Sequence, residues 1–208
     1  MKKILVMMVF VLGMMLGWVG EAEAQCPTGF TPMTVNIDVG GCPYEVQLCV
    51  KCSLTGYTAS SVMIMGIMPI PMTPACVNNM PYDDVVQYVE LFVTNPDYYY
   101  TYVCTTNDPP PCPAQSGEIE LYHWNCWKIE LIEYFGDETL HFTPCGDTYC
   151  YEKITWCYDA NFNKYNRTVV DGPTQVGEPE CTLEAHEIEV PTVVGEFSEC
   201  FIYPTACD

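Results

Sequence analysis

The sequence predicts a mainly β fold, built from antiparallel hairpins and rich in disulfides, with one short amphipathic helix near residues 82–94. Three observations support this prediction. Apolar and polar residues alternate over several stretches, as they do in strands with one buried face. Two adjacent glycines, Gly40 and Gly41, separate two of these stretches. The third observation is the large number of cysteines, 14 among 208 residues.

The N-terminus predicts export from the cytoplasm. Lys2 and Lys3 precede an apolar run at residues 4–16, and a small-residue cleavage pattern, Ala-Glu-Ala, follows at 22–24. This arrangement is typical of a secretory signal peptide. The apolar run is also shorter than the ~20 residues that a membrane-spanning helix needs. We therefore interpret residues 1–24 as a signal peptide and expect a periplasmic or extracellular protein without a membrane span after cleavage.

The charge of the chain excludes several classes of partner. Removal of residues 1–24 takes away Lys2, Lys3, Glu21 and Glu23, so the net charge stays at −20. Such a chain repels nucleic acids and anionic lipid surfaces. The expected partner is a protein or a glycan in the cell envelope or outside the cell. The sequence also leaves open that the chain forms a homo-oligomer.

In an oxidising compartment, an even number of cysteines indicates a disulfide framework. We expect all fourteen cysteines to be in disulfides. They are Cys26, Cys42, Cys49, Cys52, Cys76, Cys104, Cys112, Cys126, Cys145, Cys150, Cys157, Cys181, Cys200 and Cys207.

Cys49 and Cys52 form a CxxC motif that a redox or zinc site would also use. The sequence after Cys52 lacks a helix-start pattern, whereas a redox CxxC normally opens a helix. A zinc ribbon needs a second close pair, and the chain has no other CxxC. In a continuous strand the two residues are ~10 Å apart on opposite faces, beyond the ~7 Å that a disulfide spans. We therefore predict that they bond to different partners.

The chain divides most naturally at the proline-rich stretch 105–117. This gives an N-terminal cysteine-rich β module with one helix at 25–104 and a C-terminal cysteine-rich β module at 118–208. Six cysteines lie before the stretch and eight from Cys112 onward, so each half can close its bridges internally. A single domain over 25–208 is the alternative.

In the N-terminal half, residues 34–50 predict a hairpin around the two glycines. Residues 62–72 are apolar but contain two prolines, which predicts an extended or edge-like segment. Val85, Val89 and Val93 recur at helical spacing, and Asn95-Pro96 marks the end of that helix. The tyrosine-rich segment 98–104 predicts a strand or another tightly packed extended segment.

The sequence of the C-terminal half predicts an almost entirely β structure. Residues 119–135 predict either one long bent strand or a hairpin tightened near Asn125. Residues 149–159 and 164–170 flank a short polar loop and predict a second hairpin. Residues 186–190 predict a late strand.

Few residues suggest catalysis. His123, His141 and His186 occur without a nucleophile motif, so we interpret them as packed or surface residues. Glu118 and Glu120 share one face of a strand, the pattern of a solvent-exposed face rather than of two carboxyls across a cleft. Asp159, Asn161 and Asn163 begin like a calcium loop but suit a turn better. We therefore expect neither an enzyme nor a cofactor.

Two groups of residues are candidate binding sites. Trp124 and Tyr122 form a candidate ligand platform, although aromatic residues of a β-rich chain more often pack in its core. The weak metal candidates are Met63, Met65, Met68 and Met72, whose thioethers suit Cu(I). Methionines also fill irregular apolar space.

The sequence thus predicts a secreted, disulfide-stabilised, β-rich binding or structural protein of the envelope or the extracellular space. Two alternatives stay open: a periplasmic Cu(I)-binding protein that uses the methionine-rich segment, and a secreted hydrolase that acts on carbohydrate.

Overall fold

A computed structural model describes most of the chain after the predicted signal peptide. The described residues are 26–52, 60–70, 82–104, 110–113, 116–203, 205 and 207.

The fold is mainly β, as predicted, and is based on a ten-stranded sheet. Its principal path follows the order β8-β7-β4-β3-β6-β5-β10-β9, and β2 joins this path at β3 and carries β1 on its other edge. The strands are β1 (Thr31–Val39), β2 (Cys42–Lys51), β3 (Ser60–Pro69), β4 (Gly117–Trp124), β5 (Cys126–Tyr134), β6 (Asp137–Pro144), β7 (Tyr149–Asp159), β8 (Lys164–Val176), β9 (Leu183–Glu184) and β10 (Phe201–Ile202).

β1 and β2 form the predicted hairpin. Their antiparallel register runs from Thr31 opposite Val50 to Val39 opposite Cys42. Gly40 and Gly41 have positive φ angles of 64° and 89°, which a two-residue hairpin turn of this kind requires. Burial alternates along β1, since Val35, Ile37 and Val39 are buried and the residues between them are exposed.

β3 is an extended strand inside the sheet, which confirms the extended alternative for residues 62–72 and corrects the edge-like one. One edge of β3 pairs with β2, and its other edge pairs with β4 near Ser61 and with β6 at Ile67. Pro69 is the last residue of the strand and Pro71 falls outside the described residues, so neither proline interrupts the ladder.

β4 and β5 are two parts of one bent strand rather than the arms of a hairpin. They meet at Asn125 and do not pair with each other, because β4 pairs with β3 and β7 while β5 pairs with β6 and β10. Asn125 is buried at the bend, and its side-chain amide exchanges two hydrogen bonds with that of Gln175, at 3.1 and 3.0 Å.

The predicted helix is present as α1 (Tyr82–Val93) and packs against the sheet through buried valines. The segment after it is helical, which corrects the predicted extended structure. It consists of a short helix, α2 (Pro96–Tyr98), and a single π-helical turn (Tyr99–Val103). The Asn95 side chain accepts a hydrogen bond from the Asp97 amide at 3.0 Å and so restarts the helical path.

Aromatic rings pack against one another along this second helical stretch. The ring centroids of Phe92 and Tyr98 are 4.1 Å apart, and those of Tyr98 and Tyr102 are 4.7 Å apart. The capping residue and these ring contacts outweigh the preference of tyrosine for strands.

β7 and β8 form the second predicted hairpin, with a turn at residues 160–163. Asp159 accepts a hydrogen bond from the Asn161 amide at 3.0 Å, which is the side-chain geometry of a turn. The strand predicted at 186–190 is wrong. A short 3₁₀ helix (Ala185–Glu187) begins there, since Glu184 and Glu187 cap each other's backbone amides.

Disulfides cross-link the sheet and the helical segment. Cys49 and Cys52 bond to Cys26 and Cys104, which confirms that the CxxC cysteines have different partners. The other described pairs are Cys112–Cys157, Cys126–Cys181, Cys145–Cys200 and Cys150–Cys207. Cys42 is also disulfide-bonded, and Cys76 lies outside the described residues. No described cysteine is free.

The six described disulfides each join cysteines of the same half of the chain, whereas the sheet runs through both halves where β3 pairs with β4 and β6. The division at residues 105–117 stays a prediction.

None of the helices in the described ranges is long and apolar enough to cross a membrane.

The Cys52–Cys104 bridge should contribute strongly to stability, because it closes a loop with a sequence separation of 52 residues. We predict that the double variant Cys52→Ala/Cys104→Ala loses about 4 kcal/mol of unfolding free energy from loop-closure entropy. The same change at Cys26 and Cys49, with a separation of 23, should cost about 0.7 kcal/mol less. Denaturant unfolding without reductant measures both losses. A larger loss for the shorter loop would contradict the prediction.

Candidate functional site

β4 and β7 pair so that they present one apolar face and one mixed face. Side chains alternate between the two faces of a strand. On β4, Ile119, Leu121 and His123 point inward and are buried, while the side chains between them are half-buried. β7 repeats this pattern, so the outward side chains of the two strands form a common surface.

Four aromatic residues lie together on this surface. The register places Tyr122 opposite Tyr151 and Trp124 opposite Tyr149. The ring centroid of Tyr122 is 5.5 Å from that of Tyr151 and 5.4 Å from that of Tyr149, and Trp124 is 6.0 Å from Tyr149. All four rings are half-buried, and their three contacts are edge to face, which holds the rings in place. We call Tyr122, Trp124, Tyr149 and Tyr151 the outer aromatic face.

The structure brings together both members of the predicted platform, Trp124 and Tyr122, and adds two tyrosines that sequence reasoning missed. Their alternation in Tyr149-Cys150-Tyr151 was visible, but the pairing of β4 with β7 was not. Trp127 is buried in the core, and its indole N–H donates to the Trp124 carbonyl at 3.1 Å.

Glu120 lies at one end of the outer aromatic face, among hydroxyl groups. Its Oε2 accepts hydrogen bonds from Ser61 at 2.8 Å and from Tyr122 at 3.5 Å, and its Oε1 accepts one from Tyr151 at 3.2 Å. Burial, and next the nearby Glu120, raise the pKa values of Tyr122 and Tyr151 to about 12. Both phenols therefore stay protonated and act as donors at neutral pH.

The neighbouring groups on this surface are polar. Lys153 lies opposite Glu120 in the register, yet its ammonium group pairs with Glu118 at 2.8 Å. That bond raises the pKa of Lys153, so it remains charged. On the next strand, Thr168, Asp171 and Thr174 pair with outward residues of β7 and are exposed. These hydroxyls and carboxylates form a polar border along β8.

The N-terminal segment bounds the outer aromatic face on its other side. The Cys26–Cys49 disulfide fixes the segment to β2, and the ring of Phe30 contacts that of Tyr122 edge-on, with centroids 6.3 Å apart.

On the inward side of the same two strands, His123 lies between two carboxylates. Its Nδ1 is 2.6 Å from Glu90 Oε1, on α1, and its Nε2 is 3.6 Å from Glu152 Oε2, on β7. The imidazole is 6% exposed, and the contacts are ion pairs rather than well-aligned hydrogen bonds. Burial alone lowers the pKa of His123, but the two carboxylates outweigh it and raise the pKa to about 9.

This charged cluster borders a cleft of about 340 Å³, whose lining includes Arg167 and Tyr203. The carboxylates of Glu90 and Glu152 converge there, but both are paired with the His123 imidazolium that lies between them. The contact with His123 lowers the pKa of Glu152, which favours its ionised form over the protonated acid that glycoside hydrolysis needs. The raised pKa of His123 likewise favours the protonated imidazole over the neutral form that a general base needs. The cluster ties the helix to the sheet.

The other two histidines differ in environment. His141 is half-buried, and burial lowers its pKa. His186 is exposed and lies 3.2 Å from Glu184.

The methionine candidates lie along β3. Met63 and Met68 are buried, Met65 is half-buried, and Met72 falls outside the described residues. Within the described part of the chain, no group of three His, Cys, Asp or Glu side chains is arranged to hold a metal ion.

Comparisons with models of protein families, with curated proteins and with solved structures find no match to this chain.

The His123 cluster predicts a pH dependence of stability. The folded pKa, about 9, lies above the ordinary value of 6.5. The protonated imidazole therefore stabilises the folded state fully below pH 6.5, and this contribution is lost as the pH rises through about 9. We predict that His123→Gln lowers the unfolding free energy at pH 6 by about 3 kcal/mol, and that the difference from wild type shrinks toward pH 10.

Denaturant unfolding at a series of pH values measures this difference. His186→Gln is the matched control, because His186 is exposed, and it should follow the wild type at each pH. A difference between His123→Gln and wild type that stays constant with pH would contradict the assignment.

Proposed function

We propose that this chain is an exported binding protein of the cell envelope or extracellular space, and that its outer aromatic face binds a neutral glycan. The observation that carries the proposal is the ladder of four half-buried aromatic rings on two paired strands. A carboxylate and several hydroxyl groups border it.

Cross-linking supports the exported location. The six described disulfides are those of a protein that matures under oxidising conditions. They also stabilise a sheet that must stay folded without the chaperones of the cytoplasm.

The shape of the surface supports a glycan as the ligand. Sugar rings have apolar C–H faces that stack on aromatic rings, and hydroxyl groups at their edges that need hydrogen-bond partners. The outer aromatic face offers both kinds of contact within two strands, because Tyr122 and Trp124 continue directly from Glu120 along β4.

Charge supports a neutral rather than an anionic glycan. Glu118, Glu120 and Asp171 face outward on this surface with Lys153 as the neighbouring cation. The chain as a whole carries a net charge of −20. Both features repel sulfated or carboxylated polymers. The Cu(I) and hydrolase alternatives receive no comparable support from the described residues.

We predict that Tyr122→Ala and Trp124→Ala each weaken binding of a soluble neutral polysaccharide at least about tenfold, because each removes a stacking ring. Affinity gel electrophoresis against a panel of neutral polysaccharides measures the effect. Tyr88→Ala is the matched control, since Tyr88 is 43% exposed on α1, away from this surface. It should leave binding unchanged.

Thermal unfolding of each variant shows whether a loss of binding follows from a loss of folding. The proposal fails if the wild type binds no member of the panel. It also fails if Tyr88→Ala weakens binding as much as Tyr122→Ala does.

A further inference from the structure

We propose that Glu120 is the residue that makes the outer aromatic face selective for neutral glycans. Its carboxylate accepts hydrogen bonds from hydroxyl groups of the stacked sugar and repels a sugar that carries a carboxylate at the same place. This inference rests on the proposed function and identifies the class of glycan and the group that selects it.

The Glu120 carboxylate is held in place before a ligand arrives. Ser61, which is 4% exposed on β3, fixes Oε2 at 2.8 Å, and Tyr151 on β7 fixes Oε1 at 3.2 Å. Three strands thus position one side chain. A group that is already ordered loses little conformational entropy on binding, so its contacts contribute more to affinity.

The carboxylate still has room for a ligand. It offers about four acceptor positions, and the protein donors are Ser61, Tyr122 and Tyr151. The Tyr122 contact is the longest of the three, at 3.5 Å, so a sugar hydroxyl that approaches Oε2 competes with the weakest donor. The side chain is half-buried and not fully enclosed.

The charge of Glu120 is not neutralised by a salt bridge among the described residues. Lys153, opposite Glu120 in the register, forms its salt bridge with Glu118 and interacts with Glu120 only by a longer-range attraction. Glu120 is stabilised by hydroxyl donors, which leave its negative charge in place. It therefore presents both an acceptor and a repulsive charge to whatever stacks on Tyr122. Selective binding sites commonly combine these two elements, one attractive and one repulsive.

Two substitutions separate the effect of the charge of Glu120 from the effect of its side-chain length. Glu120→Gln keeps the length of the side chain but removes the charge and one acceptor oxygen. Glu120→Asp keeps the charge but withdraws the carboxylate by one methylene. Glu133→Gln is the control for net charge, because Glu133 is exposed on β5, outside the outer aromatic face.

Affinity electrophoresis measures how tightly each variant binds two polymers. One is a neutral polysaccharide that the wild type binds, and the other is its uronic-acid counterpart. We expect Glu120→Gln to bind the neutral polymer about tenfold more weakly and to gain measurable binding of the uronic-acid polymer. Glu120→Asp should lose affinity for the neutral polymer while it continues to exclude the acidic one. Glu133→Gln should behave as wild type with both polymers.

The inference is overturned if Tyr122→Ala abolishes binding of the neutral polymer while Glu120→Gln changes neither affinity nor exclusion. In that case the proposed glycan-binding function stands. If the wild type binds no polysaccharide, the proposed function fails and the inference fails with it. If Glu133→Gln admits the acidic polymer as Glu120→Gln does, overall charge selects the ligand and the role of Glu120 is overturned.

Discussion

The burial of β3 within the sheet is the constraint on which the rest of the structure depends. Its edges pair with β2 on one side and with β4 and β6 on the other, so it joins the N-terminal hairpin to the strands of the C-terminal half. Disulfides reinforce each half, while this strand provides backbone hydrogen bonds between them. β3 also reaches the candidate site, because Ser61 binds the carboxylate of Glu120. The same strand that joins the halves therefore fixes the carboxylate at one end of the outer aromatic face.

The paired strands β4 and β7 hold carboxylates in two opposite environments. Glu152 points inward, and His123 neutralises it at 3.6 Å. Glu120 points outward and is bound by hydroxyl groups, which satisfy hydrogen bonds without cancelling the charge. A buried carboxylate needs a cation because desolvation strongly disfavours an isolated charge. A half-exposed one does not, so Glu120 keeps its charge without a salt bridge, as the proposed binding requires. Strand alternation alone decides which role each glutamate has.

Local patterns in the sequence predict much of the fold. The glycine pair and the alternation around it predict the β1–β2 hairpin, and the valine spacing predicts α1. The failures in the fold arise where one local signal is compatible with two structures. Asn95 and the ring contacts of the 98–104 segment turn a strand-prone sequence into a helical one. Residues 62–72 look edge-like because of their prolines, but Pro69 ends the strand and disturbs no pairing.

The candidate site shows a different limit, which comes from contacts between distant segments. Tyr122 and Trp124 are recognisable in the sequence as a platform, because they alternate on one strand. Their partners Tyr149 and Tyr151 lie 25 or more residues away and become neighbours through the register of β4 with β7. The contact of His123 with Glu90 and Glu152 joins a helix and two strands, and no sequence spacing indicates it. Pairings between distant segments depend on packing that a single sequence does not display.

The proposed binding surface is one face of a cross-linked sheet, which favours a particular kind of ligand. A pocket encloses most of a small ligand, whereas a sheet surface contacts one side of it and buries correspondingly less area. Rigid rings and a fixed Glu120 offset part of this weakness, because little entropy is lost when they bind. A polymer offsets more of it, since many equivalent sugar units along one chain raise the chance that a dissociated segment rebinds nearby. For the proposed glycan-binding function, the ladder of rings along β4 and β7 therefore suits an extended glycan better than a single sugar.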